Sequence, residues 1–499
     1  MAAEEQRRHD LVVVGFGAAG ASAAIRARDL GGSVLIVEKQ PQQTHAPNTM
    51  LSGGVIMAVN DAERGAPYMD ACAGGFVPME VTRAWAKRAE GLMAWLRSIG
   101  AASDYTRSDG GEHVGIPGAD AIDVWVSGSR REDSVVDQAA KSAASAAMNA
   151  TSQAARGGRE LWVELAAAVH ARGVEVEWAA RAERLIQDET GGVVGVAVLA
   201  GDGRRREFRA RKGVVLACGG YEFDEDMKRQ FLKAAPMHFF GGVGHTGDGV
   251  RMAQKAGASL WHMNLAVGRA IGHFPLGDGT YLNATPRIAP GGYVITDKHG
   301  RRFANEFPQA QLSHAFLNEL TYFDAQANDY PRIPAYWICD SRRIKAGPLV
   351  SPSARYPWSA DNAAEIESGW IKAGPTVEAA AHAAGVLDPK AAAAEVARYN
   401  AACSAGADSF GRPAETLTPL DAGPFYCIPL YPGGSNTSGG PRRDERARIL
   451  DAFGEPIPGL YGAGELGQAV GSLYPAWGAN LGEAFCFGQI AAEDALGKP

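Results

Sequence analysis

Asp10–Lys39, DLVVVGFGAAGASAAIRARDLGGSVLIVEK, reads as a strand, a glycine turn, a helix and a second strand in unbroken succession. Leu11–Val14 is continuously apolar, as a parallel strand buried on both faces must be. Gly15, Gly17 and Gly20 follow with the spacing G-x-G-x-x-G. The first glycine permits the tight turn, the second lets backbone approach a pyrophosphate, and the third lets helix pack on strand. Ala18–Leu30 is rich in Ala, Ser and Ile, and its helix dipole turns a positive end toward bound phosphates. A second strand, Ser33–Val37, ends at Glu38, a carboxylate placed to accept ribose hydroxyls. These pieces in this order specify a dinucleotide cradle, which a glycine triplet alone would not.

The rest of the chain bounds the class. Its 499 residues, 46% hydrophobic and 21% charged, suit a soluble globular protein with room for two or more subdomains. A net charge of −7 without a basic tract argues against nucleic acid as a partner. No run of 18 apolar residues is present, so no membrane span is expected. The polar start MAAEEQRRHD leads straight into the first strand and does not read as a signal peptide. Cys72, Cys218, Cys339, Cys403, Cys427 and Cys486 lack metal or haem spacing, so no metal is expected and a reducing cytoplasm is the simplest setting.

Downstream, PNTMLSGGV (Pro47–Val55) is a glycine-rich turn of the kind that approaches a ligand. Helical patterns cover Glu80–Ile99 and Val135–Arg172, and short strands are expected over Val174–Trp178, Val193–Val198 and Glu207–Arg211. GVVLACGG (Gly213–Gly220) reads as a second buried strand, and GHTGDGVRMAQKAGA (Gly244–Ala258) as a turn entering a helix. From Leu265 to Leu420 aromatics, prolines and mixed charge replace the βα rhythm. Pro424 onward returns to the earlier style, with GLYGAGE (Gly459–Glu465) as a strand running into a glycine turn and a helix from Asn480. The expected division is 1–264, an inserted domain at 265–420, and 421–499 completing the first.

These segments resemble the superfamily of FAD-dependent fumarate reductases and 3-ketosteroid dehydrogenases, closer to the ketosteroid (Δ4-type) branch. The matching pieces are the cradle, Asn48-Thr49 with Ser52-Gly53-Gly54, Leu216–Gly220, Thr246–Gly249, GRRFANE (Gly300–Glu306), and Gly459–Glu465 with Asn480-Leu481-Gly482. The resemblance implies an α/β fold, a Rossmann-like FAD-binding domain interrupted by a smaller α+β cap, and non-covalent FAD. By the same resemblance Gly15, Gly17, Ala19, Gly20, Glu38 and Lys39 hold the ADP half. Asn48, Thr49, Ser52, Gly53 and Gly54 lie along the pyrophosphate and isoalloxazine, and Gly219, Asp248, Gly464, Glu465, Asn480 and Leu481 complete the site. Helix capping is the plain alternative for Asp248 and Asn480. His45 stands near the position of a flavin-linking histidine in covalent relatives, but its spacing to Gly53-Gly54 is longer than theirs.

The resemblance further implies addition or removal of hydrogen across a C–C bond beside a carbonyl. Fumarate reductases carry histidines where this chain has Ser435 and Asn436, an acid arginine where it has Ala310, and an arginine near Tyr474-Pro475-Ala476. The residues that grip dicarboxylates are therefore missing. Ketosteroid dehydrogenases carry a tyrosine before a glycine turn and Leu-Gly, as Tyr474 precedes Gly478 and Leu481-Gly482. A phenol suits either proton transfer or a hydrogen bond to a ketone oxygen, and aromatic packing is the alternative. Candidates for the base are His314, Tyr293 and Tyr431. Trp337, Tyr356, Trp358 and Trp370 suit an apolar cyclic carbonyl substrate or a packed core equally, and Arg269, Arg342 and Arg355 could meet a carboxylate. The expected function is FAD-dependent desaturation of a cyclic ketone, steroid or oxocyclohexane in type, with an unknown electron acceptor. An enone or enoate reductase and a non-catalytic flavin-binding protein are the alternatives.

Overall fold

Leu11, Val13 and Ile36 turn to one face of the first sheet and Val12, Val14 and Leu35 to the other, and all are buried. That is the period of two expected of a sheet covered on both sides. The computed structural model describes residues 8–128, 152–350 and 356–497. Within them the sheet runs Arg448–Leu450, Pro456–Gly462, Arg205–Leu216, Arg8–Val14, Val34–Val37, Glu175–Glu177. All neighbours are parallel except the first pair. The strand from Pro456 thus lies beside that from Arg205, so both ends of the chain build one sheet.

Helices Ala18–Asp29 and Ala479–Ala495 pack together on one face of this sheet. They approach closely because Gly488 has no side chain: a Cβ there would come within 2.5 Å of the Ala19 carbonyl oxygen. Ser22 Oγ donates to the Phe485 carbonyl at 2.7 Å across the contact.

The sequence reading differs in detail. Glu207–Arg211 and the run after Gly213 are one strand, Arg205–Leu216, whose first half pairs antiparallel with Val193–Ala200. A hairpin strand at Ala180–Gln187 has no counterpart in the reading, because its alternating charges conceal it. The helical pattern at Glu80–Ile99 is two helices, Met79–Glu90 and Leu92–Ser98, broken at Gly91. Of Val135–Arg172 the structure describes the helix Ser152–Ala171, and the part before it lies outside the described residues.

The inserted region forms a second, largely antiparallel sheet around the long strand Phe425–Thr437, which pairs with Ala266–Pro275, Ala335–Asp340 and Lys372–Gly374. This sheet therefore continues past residue 420, the expected end of the insertion. The cap aromatics pack among themselves and with Phe274: Trp358 and Trp370 are 5.9 Å apart, and Tyr356 and Trp370 4.6 Å. Trp337 is fully buried. They form the cap's core, not a substrate surface.

The GRRFANE motif is also a core feature. Arg302 holds Glu306 through two bonds of 2.6 and 2.7 Å and reaches Asp408 at 2.6 Å, with all three side chains buried. Arg302→Met would leave buried Asp408 without its cation and Glu306 with only the longer contact to Arg412 at 3.8 Å, a loss of about 3–5 kcal/mol. Chemical denaturation is expected to show that loss; a midpoint like wild type would show the network to be dispensable.

Candidate active site

A cavity of about 390 Å³ opens where the parallel strands end, the usual ligand crevice of such sheets. Val14, Val37 and Ala217 lie at its floor, and Val267–Arg269 with Gly434-Ser435 face them from the second sheet. Gly15 has φ +103°, and a Cβ there would lie 2.5 Å from the Ala217 carbonyl oxygen. Phe16 N–H donates to Glu38 Oε2 at 2.9 Å and Ala18 N–H to Thr49 Oγ1 at 2.8 Å. The turn is thereby fixed with the N-terminus of helix Ala18–Asp29 at the cavity. Gly15→Ala adds left-handed strain of about 1–2 kcal/mol to the clash, so flavin retention should fall about tenfold or more. Flavin absorbance per purified chain measures this, and full loading would contradict it.

Fifteen of the residues assigned to FAD from the sequence line this one cavity: Gly15, Gly17, Ala19, Glu38, Lys39, Asn48, Thr49, Ser52, Gly53, Gly219, Asp248, Gly464, Glu465, Asn480 and Leu481. Gly20 and Gly54 do not line it. A Cβ on Gly20 would stand 2.0 Å from the Gly15 carbonyl oxygen, and one on Gly54 2.3 Å from the Gly157 carbonyl carbon. Both are packing positions.

Asp248 is not a helix cap. Gly247 holds that place, and the Asp248 carboxylate bonds Lys39 Nζ at 2.9 Å and Arg181 Nη2 at 2.8 Å. Asn480 is not a cap either, since Gly478 precedes the helix and the Asn480 side-chain amide donates to Asn436 Oδ1 at 2.7 Å. Its own Oδ1 is buried without a hydrogen-bond partner.

Beside these stand two residues that the sequence reading missed, His245 and Glu222. His245 Nδ1 lies 3.2 Å from Glu222 and 3.4 Å from Glu465, and Asn48 donates to Glu465 at 3.0 Å. Burial disfavours a charged imidazole, but Glu222 and Glu465 together raise the His245 pKa. Burial and the charge of Glu222 push the Glu465 carboxyl well above the carboxylate range.

These residues fit FAD. One continuous cavity joins the glycine cradle and Glu38 to the N-terminus of helix Ala479–Ala495. The orphaned Asn480 Oδ1 is an acceptor for a ligand N–H, and backbone N–H groups at that helix start suit negative charge on a reduced ring.

At the same end Tyr474 and His314 meet, their ring centroids 4.3 Å apart, and both line the cavity. The Tyr474 hydroxyl accepts a hydrogen bond from Asn480 N–H at 3.0 Å. Burial raises its pKa above the ordinary phenol value, so it stays protonated. His314 is held by Glu112, whose carboxylate accepts from His314 N–H at 2.9 Å and Ser313 Oγ at 2.6 Å, with Oε2 3.3 Å from Nδ1. Nε2 of His314 faces Arg269 Nη2 at 2.5 Å.

Burial and then Arg269 lower the His314 pKa to about 4, so the ring is neutral. Burial would raise Glu112, but hydrogen bonds from His314 and Ser313 hold it at about 2. Burial brings Arg269 down to about 10. Arg287 also lines the cavity.

The other candidates fall outside. Tyr293 is buried in the cap core with the Arg412 guanidinium 3.8 Å above its ring. Tyr431 packs edge-on against His238 and His273 at 5.1 and 5.8 Å. Neither lines the cavity. Arg342 is paired with Asp340 and Asp421, and Arg355 lies outside the described residues. His45 is enclosed by Phe16, Trp162 and Trp178, at 5.0–5.6 Å between ring centroids, and does not line the cavity. Glu112 carried no signal in the sequence, being a loop residue 202 positions from its partner.

Among the described residues no helix is long and apolar enough to cross a membrane. The chain is similar to 4-oxocyclohexanecarboxylate 2-dehydrogenase of Sinomonas cyclohexanicum, with 30% identity over 371 residues covering 68% of this chain. That match spans 61% of the relative's length, under two thirds of it. It is 28% identical over 576 residues to 3-oxosteroid 1-dehydrogenase of Mycolicibacterium smegmatis, covering 98% of this chain and 97% of that one. The fold matches that of 3-ketosteroid Δ1-dehydrogenase of Sterolibacterium denitrificans, with a TM-score of 0.82 over 99% of this chain and 100% of that one, at 23% identity. The model of the FAD binding domain family matches residues 10–481. The chain belongs to that family and is an FAD-dependent oxidoreductase.

Proposed function

We propose that this enzyme desaturates a cyclic ketone next to its carbonyl, and that the ketone carries a carboxylate. The observation that carries the reading is the meeting of a protonated phenol, Tyr474, and a neutral imidazole, His314, at one cavity wall. Tyr474 takes Asn480 N–H into its oxygen and so has its own proton to give to the ketone. That bond makes the phenol a stronger donor. His314 takes the α-proton while Glu112 braces the ring. FAD, when bound, supplies the acceptor for the hydride that leaves the β-carbon. Of the other phenols considered, Tyr293 and Tyr431 are packed elsewhere.

Arg269 and Arg287 support the carboxylate. Arg269 is half-buried at the cavity wall beside an uncharged imidazole; among the described residues no carboxylate lies within ion-pair distance of it, and the negative charge acting on it is that of Glu112. A cavity-lining guanidinium without a direct carboxylate partner has donors to offer an anionic ligand. The relative that acts on 4-oxocyclohexanecarboxylate supports the same class, and the 3-oxosteroid relative supports the ketone alone. The test is anaerobic mixing of oxidised enzyme with 4-oxocyclohexanecarboxylate. Bleaching of the flavin band is expected. Reoxidation of dithionite-reduced enzyme by an enone, without bleaching by the ketone, would make it a reductase; no response to either would leave a flavin-binding protein.

A further inference from the structure

The two nitrogens of His314 have different partners, and the partners fix the tautomer. Glu112 can only accept, so Nδ1 carries the hydrogen; Arg269 can only donate, so Nε2 carries the lone pair. That lone pair is single. Nε2 therefore cannot both accept from Arg269 and take a proton from carbon.

We infer that Arg269 is a latch on the base: it caps His314 Nε2, and the substrate's carboxylate is the group that draws the guanidinium off it. This rests on the reading of His314 as the base. A carboxylate is the better acceptor, since it adds an opposite charge and two oxygens that match the planar guanidinium fork, where the imidazole offers one neutral lone pair. Charge balance points the same way. Glu112, His314 and Arg269 together sum to zero with the ring neutral. An added carboxylate makes the set −1, and the α-proton arriving on Nε2 restores zero. The groups facing His314 from the elements around it are Glu112 and His113 of one loop, Arg269 of the strand Ala266–Pro275, and Tyr474. Among these the positive charge lowering the basicity of His314 is that of Arg269, with His113 a lesser contributor. Binding and activation of the base thus become one event, and neutral ketones of the same shape are poor substrates although they fit.

The holoenzyme tests this with 4-oxocyclohexanecarboxylate and its methyl ester. Wild type should turn the acid over with a higher kcat, not only a lower KM, than the ester. Arg269→Met should lower kcat/KM for the acid roughly 10–100-fold and raise kcat for the ester roughly tenfold, because Nε2 is uncapped. Arg269→Lys should restore part of the preference for the acid. An arginine that only binds carboxylate would leave the ester rate untouched, and that result would overturn the latch.

A second measurement needs no turnover. In 15N-histidine holoenzyme, the Nε2 resonance that disappears in His314→Gln should shift on adding the acid and stay still with the ester. If Nε2 ignores the acid, the latch is wrong. If Nε2 responds while neither compound is oxidised, the latch stands and the desaturation reading fails.

Discussion

Tyr474→Phe is expected to lower kcat about 10²–10³-fold, the usual cost of removing one donor aimed at developing negative charge on oxygen. The phenylalanine ring keeps the packing against His314, at 4.3 Å between centroids. FAD should remain bound, because the cradle at Gly15 and the Glu38 carboxylate lie at the other end of the cavity. The hydroxyl also accepts from Asn480 N–H at 3.0 Å, so the variant should melt somewhat lower. Rapid-mixing reduction of the flavin by the ketone separates these effects. Unchanged reduction with a lowered melting point would make Tyr474 a packing residue only.

The second large effect is at His314. His314→Gln is expected to cost about 10²–10⁴ in the reductive step, the range for a positioned acid or base. Glutamine still offers an N–H to Glu112, so the loop should hold. The sign of the pH dependence follows from the direction of the shift. Burial and Arg269 depress the His314 pKa to about 4, so the ring is neutral and competent as a base above that value, and that competence is lost as pH falls through it. The wild-type kcat/KM profile for the methyl ester, which has no titrating carboxyl of its own, should show that acid limb, since it then reports the free enzyme. The Gln variant should lack it. A limb surviving in the variant would assign the titration to another group.

The sequence alone was sufficient for the cradle and for the return of the C-terminal segment to the first domain. Gly15 and Gly20 are legible because backbone geometry admits no other residue there: their Cβ atoms would strike carbonyl oxygens at 2.5 and 2.0 Å. Such constraints are local, and local constraints leave a mark in spacing. The GRRFANE motif was legible as a pattern but not as what it is, because the partner of Arg302 beyond Glu306 is Asp408, 106 residues away.

The catalytic end was legible only in part. Tyr474 and His314 stood among the candidates on resemblance and residue type, but so did Tyr293 and Tyr431, and nothing in the spacing separated them. The cap fold does so, by packing Tyr293 under Arg412 and Tyr431 against two histidines. Glu112 could not be found at all. It is one acidic loop residue among many, and its meaning comes from His314, Ser313 and Arg269 arriving beside it.

What the chain determined by itself is therefore a dinucleotide site, which the resemblance narrows to FAD: a nucleotide is held mainly by backbone turns and helix ends, which sequence spacing encodes directly. What only the tertiary structure decided is which side chains do chemistry. Proton transfer depends on burial and on charges brought within a few ångströms from distant parts of the chain, and neither is written in local order.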